Sequence, residues 1–221
     1  MPVTIDIRAD GKAATAALDD IARKQIPFAI ARALTTLAKL GQRGAQDEMQ
    51  KVFAHMVGFT RQGIGIEAAR KDTLQSRVFV KPLQAQYLGL EIAGGTRTPS
   101  NNTRIVSRAL TLPGVGARLS AAGNLPRGYV SKLAEMAEAG KGPRKGTTVV
   151  KFTGSGPNGK GPGGFFLRLP NDHIQRLISF EASAEYKPKF AFEQTVRTVV
   201  AANVQGVVGA ALTAALATAR P

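Results

Sequence analysis

The feature that most limits the fold is an uncharged stretch near the end of the chain, TVVAANVQGVVGAALTAALATA, residues 198–219. Its spacing predicts a helix from Pro188 to about Thr218. Twenty-two uncharged residues reach the length that spans a bilayer, so a membrane helix is one alternative. Asn203 and Gln205 lie inside the stretch, however, and no aromatic or basic belt flanks both of its ends. We therefore expect a helix that packs in a core or at a subunit interface, with no membrane partner.

Small side chains in this helix would let another backbone approach closely, as a subunit interface requires. The candidate oligomer-interface residues are Val200, Val204, Val207, Val208, Ala211, Leu212 and Ala215.

The first half of the chain mixes strand and helix patterns. Residues 3–7 alternate apolar and polar side chains, which predicts a strand, and residues 13–24 have helical spacing. A longer helix is predicted from about Pro27 to Phe53, with the proline in its first turn. Gly41 and Gly44 each cost such a helix about 1 kcal/mol relative to alanine, which predicts a bend there.

Further strands are predicted at 64–70, 75–81, 109–112, 149–153 and 165–169, and further helices at 83–92 and 129–139. These patterns predict an α+β fold in which a small antiparallel sheet packs against long helices, with extended irregular arms and a long C-terminal helix. We expect a single domain over residues 1–221. Two segments are expected to extend from this domain: a basic irregular arm at residues 94–128 and a glycine-rich hairpin tip at residues 154–164.

The net charge of +15 is concentrated in the middle of the chain, where residues 94–164 have 11 basic and 2 acidic side chains. Such a concentration favours a polyanionic partner, which could be nucleic acid, an acidic protein surface or an anionic membrane, with a solvated basic loop as the alternative. No aromatic residue alternates with the arginines of the 97–127 region, so recognition by base stacking is not expected. The candidate partner-facing or DNA-facing residues are Arg97, Arg104, Arg108, Arg118, Arg127 and Lys160.

The stretch GSGPNGKGPGG, residues 154–164, has the G-x-x-x-x-G-K spacing of a phosphate-binding loop. Such a loop needs a hydroxyl residue after its lysine, to bind magnesium, and a helix that begins there. Gly161 follows Lys160, and the next residues predict a strand. We therefore interpret this stretch as a hairpin tip between two strands, with no nucleotide site.

No group of residues indicates catalysis. The chain has no cysteine, its two histidines are 118 positions apart, and no serine lies in a G-x-S-x-G context. We expect neither catalytic nor metal-binding residues, no cofactor and no enzymatic activity. The start, MPVTIDIRAD, lacks the basic and apolar regions of a secretory signal, which predicts a chain that stays in the cell that makes it.

Several phrases, taken in order, resemble the tail-completion family of tailed phages, the relatives of the minor tail protein Z of lambda. They are IAGGTRTP (92–99), GNLPRG (123–128), GGFFLRL (163–169), SFEASAEYKPKFAF (179–192) and ALATAR (215–220). IARALTTLAKLGQRGAQDEM (30–49) and VFVKPLQAQYL (78–88) also fit, so the resemblance covers nearly the whole chain.

The resemblance implies a structural virion protein at the head–tail junction, assembled in the host cytoplasm. It implies a homo-oligomer, with a hexameric ring around the DNA channel, and as partners the terminator, the connector, the tail tube and the genomic DNA. A terminator or connector role stays open, as does a stand-alone phage or host DNA-binding protein that uses the basic central loop.

Overall fold

The computed structural model describes residues 4–8, 20–53, 55–99 and 109–218. Contacts divide the chain into two compact units, residues 1–94 with 187–221 and residues 95–186. The sequence predicts one domain with two extended segments, at residues 94–128 and 154–164. In the structure these segments, apart from Gly94, belong to the second unit, which has a sheet and an apolar core of its own. Gly95 pairs with Tyr186, so the two ends of the second unit meet and it forms a closed insertion in the chain.

The mixed helix and sheet content confirms the α+β class and the long C-terminal helix. The helices are α1 (Asp20–Val52), α2 (Gly58–Arg61), α3 (Pro82–Ala93), α4 (Tyr129–Glu138) and α5 (Phe192–Thr218). The strands are β1 (Thr4–Arg8), β2 (Ile64–Glu67), β3 (Gln75–Val80), β4 (Gly95–Arg97), β5 (Leu110–Pro113), β6 (Thr148–Ser155), β7 (Pro162–Arg168), β8 (Ile174–Glu181) and β9 (Ala184–Tyr186).

The prediction that a helix starts at Pro27 was wrong, because α1 runs without a break from Asp20 and contains Pro27. A proline inside a helix removes one backbone hydrogen bond and disfavours the preceding turn. Ile26, Ala29 and Ala33 are all buried around it, and their packing outweighs that local cost. Most of the separate helix predicted at 13–24 lies outside the described residues.

The first unit is built on a three-stranded antiparallel sheet in the order β1-β3-β2. Val78 and Val80 of the central strand pack against Ala45 and Met49 of α1 in one buried cluster. The start of α5 belongs to the same cluster through Phe192, which is fully buried, and through Val196 and the preceding Phe190. The long N-terminal helix, the sheet and the first turns of α5 therefore share one core.

Helices α1 and α5 pack against each other in opposite directions. Gly41 lies against Val196 and Val200, near the start of α5, whereas Phe28 lines a pocket together with Val207. A Cβ atom on Gly41 would lie 3.0 Å from Val196 Cγ1. Gly41 and Gly44, which predicted a bend, therefore lie where α5 packs closely on α1. Helix α1 continues through both glycines without a break.

The second unit contains a four-stranded antiparallel sheet in the order β5-β8-β7-β6. Leu133 of α4 packs with Val149, Phe165, Ile178 and Phe180 on one face of this sheet. The predicted hairpin of β6 and β7 is confirmed. Sequence patterns did not predict β8, whose alternation is broken by a bulge where the pairing steps from Ile178 to Arg176.

Candidate interface surfaces

Helix α5 leaves the core after its first turns. Val196 is fully buried and Val200 is half-buried against the same cluster, but no residue from Arg197 to Ala217 is buried. By length and composition the segment Phe192–Ala217 could cross a membrane, and no residue of its most apolar window of 18 is buried. The first unit therefore presents one side of about five turns of uncharged helix to solvent.

Some of the predicted interface residues face α1. Val200 contacts the first core near Gly41, and Val207, Ala211 and Ala215 line a cleft between the two helices. These residues contribute to packing within the first unit as well as to its surface.

The other predicted interface residues form a separate row on α5. Val204, Val208 and Leu212 recur at every fourth position, and Leu216, which was not predicted, continues the row. None of the four lines the cleft, and Val204 is 38% and Leu216 59% exposed. Val204, Val208, Leu212 and Leu216 are called the outer stripe from here on. The four-residue period could have identified Leu216 in the sequence.

The cleft between α1 and α5, called the helix cleft from here on, has a volume of about 770 Å³. Its mostly apolar lining includes Ala29 and Ala33 of α1 and Val207 and Ala211 of α5. Phe28 also lines it and is 58% exposed, which is unusual for so large an apolar side chain. Sequence analysis missed this site because it depends on how two helices that are far apart in the sequence pack together.

A second depression of about 480 Å³ adjoins the helix cleft, since Phe28, Arg32, Thr36 and Lys71 line both. Arg32, Lys39, Arg70 and Lys71 are exposed along these two depressions, and no acidic residue lines either of them. Among the described residues, no carboxylate lies within 4.0 Å of these four cations. They are called the basic rim from here on.

Arg32 also interacts with Phe28, because its guanidinium carbon lies 6.0 Å from the centroid of the phenyl ring. This distance is at the outer limit of a cation–π contact. An exposed ring and an exposed cation therefore lie together on the edge that the two depressions share.

The predicted DNA-facing residues of the second unit are spread over several elements. Arg97 lies on β4, Arg118 follows β5, Arg127 precedes α4, and Lys160 lies at the tip of the β6–β7 hairpin. All four side chains are exposed. Arg104 and Arg108 lie outside the described residues.

The positive charge of the second unit is not neutralised by its own carboxylates. The sequence from Gly95 to Tyr186 has 13 basic and 5 acidic residues, and none of those that the structure describes forms an ion pair. In the first unit, by contrast, Arg77 contacts both Asp6 and Glu67. The exposed cations of the second unit thus retain their full attraction for an anionic partner.

The hairpin tip has a defined backbone rather than the shape of a phosphate-binding loop. The N–H of Gly156 donates to the carbonyl of Gly161 at 2.9 Å, and the N–H of Lys160 donates to that of Pro157 at 3.3 Å. Lys160 has extended dihedral angles, φ −105° and ψ 132°, and leads into β7. The N–H of Gly159 likewise donates to the carbonyl of Gly156 at 3.1 Å. Three of the tip's amides are therefore used within the tip, and no helix begins at Lys160.

The tip also packs on the face of the sheet opposite α4. Arg176 lies over the ring of Phe166 at 5.5 Å from its centroid, and Phe152 meets the same ring edge-on at 5.4 Å. A Cβ atom on Gly156 would lie 3.6 Å from Phe166. The backbone of the tip at Gly156 therefore lies next to this aromatic pair.

The titratable groups of the described residues offer little for catalysis. No group of three or more histidine, aspartate or glutamate side chains in this part of the chain could hold a metal ion. His55 and His173 are exposed and lie in separate compact units. The hydrogen bond that Arg77 donates to Asp6 lowers the pKa of that carboxyl below its ordinary value, although desolvation opposes the shift. This pair lies at a sheet edge, where it links β1 to β3.

No protein-family model matches the chain, and no match was found among the curated proteins or among the solved structures.

Proposed function

We propose that the chain is a structural virion protein of a tailed phage, a ring-forming subunit around the DNA channel at the head-proximal end of the tail. Support for the virion role comes from the ordered phrases that resemble the tail-completion family, from residue 30 to residue 220. Support for the mode of action comes from the surface of α5.

The observation that carries the proposal is the outer stripe. Its four apolar side chains form a row on an uncharged helix, with Val204 and Leu216 exposed and the other two half-buried. A ring subunit must bury an apolar surface against its neighbours, and a partly exposed apolar row of this kind is typical of such an interface. The helix has no charged residue within two turns of Leu212 on either side. A subunit contact there would therefore not have to desolvate a charged side chain.

The charge of the second unit is compatible with the same role. A subunit that borders a channel for DNA would hinder passage if it were strongly acidic, and this chain has a net charge of +15. The unpaired cations, Arg97, Arg118, Arg127 and Lys160 among them, would attract the phosphate backbone without reading its sequence.

The proposed partners are the terminator, the connector and the tail tube, with genomic DNA as a non-specific neighbour and a hexamer as the assembly. The proposed location in the virion is the head–tail junction, and assembly takes place in the host cytoplasm. No catalytic step and no cofactor belong to this role.

The test is to find the chain in virions. Tailed particles purified from cells that carry the encoding genome are analysed by mass spectrometry, and the head–tail junction is imaged by electron cryo-microscopy. We expect the chain in intact particles as a ring of six copies. Particles that are complete and infectious without the chain would refute the proposal.

A stand-alone DNA-binding protein is the second candidate function, and the absence of ion pairs among the described cations of the second unit favours it. It requires micromolar affinity of the isolated chain for duplex DNA at 200 mM salt, which is at the tight end of the roughly 10⁻⁴–10⁻⁶ M that non-specific contacts give at physiological salt. A virion subunit needs no such affinity, because its neighbours hold it beside the DNA. A terminator or connector role would differ only in the position of the ring along the junction.

A further inference from the structure

We propose that the helix cleft and its basic rim form a docking site for an acidic amphipathic helix from a partner protein. The apolar side chains of that helix would contact Phe28 and the cleft lining, and its carboxylates would pair with Arg32, Lys39, Arg70 and Lys71. The inference does not depend on the virion role.

The shape of the site favours a helix. Its walls are two antiparallel helices, with Ala29 and Ala33 on one side and Val207 and Ala211 on the other. Small side chains on both walls allow a third helix to come close, and a groove of this kind is a recurring mode of helix recognition. From Phe28 to Thr36 the cleft follows about two turns of α1, which sets the length of the contact.

The chemistry of the site favours an acidic occupant. Arg32 and Lys71 line the helix cleft itself, and Lys39 and Arg70 line the adjoining depression. No acidic residue lines either depression, and no described carboxylate neutralises these four exposed cations. An occupant that brings carboxylates would therefore gain up to four ion pairs beside the apolar contact, and such complementarity sets specificity and association rate.

A second copy of the chain fits this site poorly. Its uncharged helix segment, residues 198–217, has no carboxylate to offer to the basic rim. A two-fold contact between two clefts would bring the same four cations face to face, which is unfavourable. The outer stripe, which does not line the cleft, is the surface that suits self-association.

A lipid bilayer also fits poorly. Anionic lipid would satisfy the basic rim, but a bilayer contacts protruding apolar groups. The alanines here line a concave cleft between two helices. A helix can enter such a cleft, and a bilayer surface cannot.

The probe is a fluorescein-labelled helical peptide of roughly 18 residues. Its leucines are spaced alternately three and four residues apart, so that they form one stripe, and its other residues are glutamates. Fluorescence anisotropy measures its binding to the full chain. A peptide with the same composition, scrambled so that the leucines form no stripe, controls for attraction to the net charge of +15. A third peptide has lysine in place of glutamate.

We expect saturable binding of the first peptide only. Phe28→Ser, and separately Arg32→Glu with Lys71→Glu, should each weaken it by at least about tenfold, as loss of a central contact does. Two matched controls should change the affinity by less than about twofold. They are Phe59→Ser, at a phenylalanine of similar exposure (55%), and Lys81→Glu with Lys189→Glu, which makes the same change in net charge at exposed residues that line neither depression. Circular dichroism checks that every variant is folded.

Four results would overturn the inference. The scrambled peptide could bind as tightly as the first, or Phe28→Ser could leave the affinity unchanged. Self-association of the chain could be lost in Phe28→Ser, which would assign the cleft to a second copy. The chain could bind anionic vesicles through Phe28 and no peptide, which would assign it to a membrane. Absence of the chain from virions would refute the proposed function and leave this binding intact.

Discussion

Gly44 of α1 lies directly against Val199 of α5: a Cβ atom at position 44 would come within 2.7 Å of Val199 Cγ2. Real Cβ atoms do not approach other carbon atoms so closely, and the β-branched valine has few rotamers with which to yield. Glycine in this helix is therefore a packing requirement of the α1–α5 contact.

Gly44→Ala should lower the free energy of unfolding by about 1–3 kcal/mol, the usual cost of overpacking. A loss of stability would be informative, because helix propensity alone predicts the opposite: alanine favours a helix over glycine by about 1 kcal/mol. Gly89→Ala in α3, where a Cβ atom would meet nothing within 4 Å, is the control and should raise stability. Urea unfolding of both variants provides the measurement.

Adding Val199→Ala to Gly44→Ala should recover part of the loss, since the smaller side chain makes room for the new methyl group. Strictly additive effects of the two substitutions would mean that residues 44 and 199 do not press on each other.

Gly164 is the equivalent constraint in the second unit. Its φ is +157°, and a Cβ atom there would collide with the backbone carbonyl oxygen of Ile178 on the neighbouring strand. Because that oxygen belongs to the sheet backbone, Gly164→Ala should cost about 3 kcal/mol. Hydrogen exchange of β7 and β8 amides reports the loss.

At Gly154 (φ +86°), a Cβ atom would meet nothing, so the same change should cost only about 1–2 kcal/mol. Equal costs at the two glycines would contradict the steric explanation.

The ion pair of Asp6 and Arg77 predicts a dependence of stability on acid pH. The pKa of Asp6 in the folded chain lies below the ordinary 3.8, mainly because Arg77 donates a hydrogen bond to it. Its contribution is therefore complete above the unfolded pKa and is lost as the pH falls through the folded pKa. We expect the wild type to lose stability relative to Asp6→Asn as the pH falls below about 4, in urea titrations at each pH. Stability curves that stay parallel down to pH 2 would show that the pair contributes nothing.

The basic residues of the second unit predict a change in DNA binding at low salt. Neutralising exposed cations should reduce the slope of log K against log salt by about 0.9 for each phosphate that the chain no longer neutralises. The variant has alanine at Arg97, Arg118, Arg127 and Lys160. A control with the same change in net charge has alanine at four exposed residues of the first unit, Arg43, Lys81, Lys187 and Lys189. Electrophoretic mobility shifts between 20 and 200 mM salt provide the measurement, and equal reductions in both variants would leave only the net charge as the cause.

Local patterns predicted the elements that depend on local physics. The hairpin of β2 and β3, the hairpin of β6 and β7 and helices α3 and α4 follow from alternation, helical spacing and turn residues. The start of α1 could not be predicted, because Pro27 is tolerated through the burial of Ile26 and Ala29. Strand β8 was missed because a bulge near Leu177 breaks its alternation.

The candidate surfaces were only partly predictable, for a similar reason. Exposure of Val204 and Leu216 depends on where α5 leaves the core, and that point is set by contacts with Gly41 and Gly44, about 150 residues earlier. The helix cleft needs the register of two distant helices, and no local pattern specifies it.

Self-association through the outer stripe is tested most directly by sedimentation velocity of the full chain in detergent-free buffer, from roughly 1 to 100 µM. The account predicts concentration-dependent oligomers that disappear when Leu212→Asp and Leu216→Asp are combined. It predicts that they persist when Phe59→Asp and Leu83→Asp are combined, a matched pair of changes at exposed apolar residues away from α5. A wild-type chain that stays monomeric over this range, or oligomers that survive in the double variant, would contradict it.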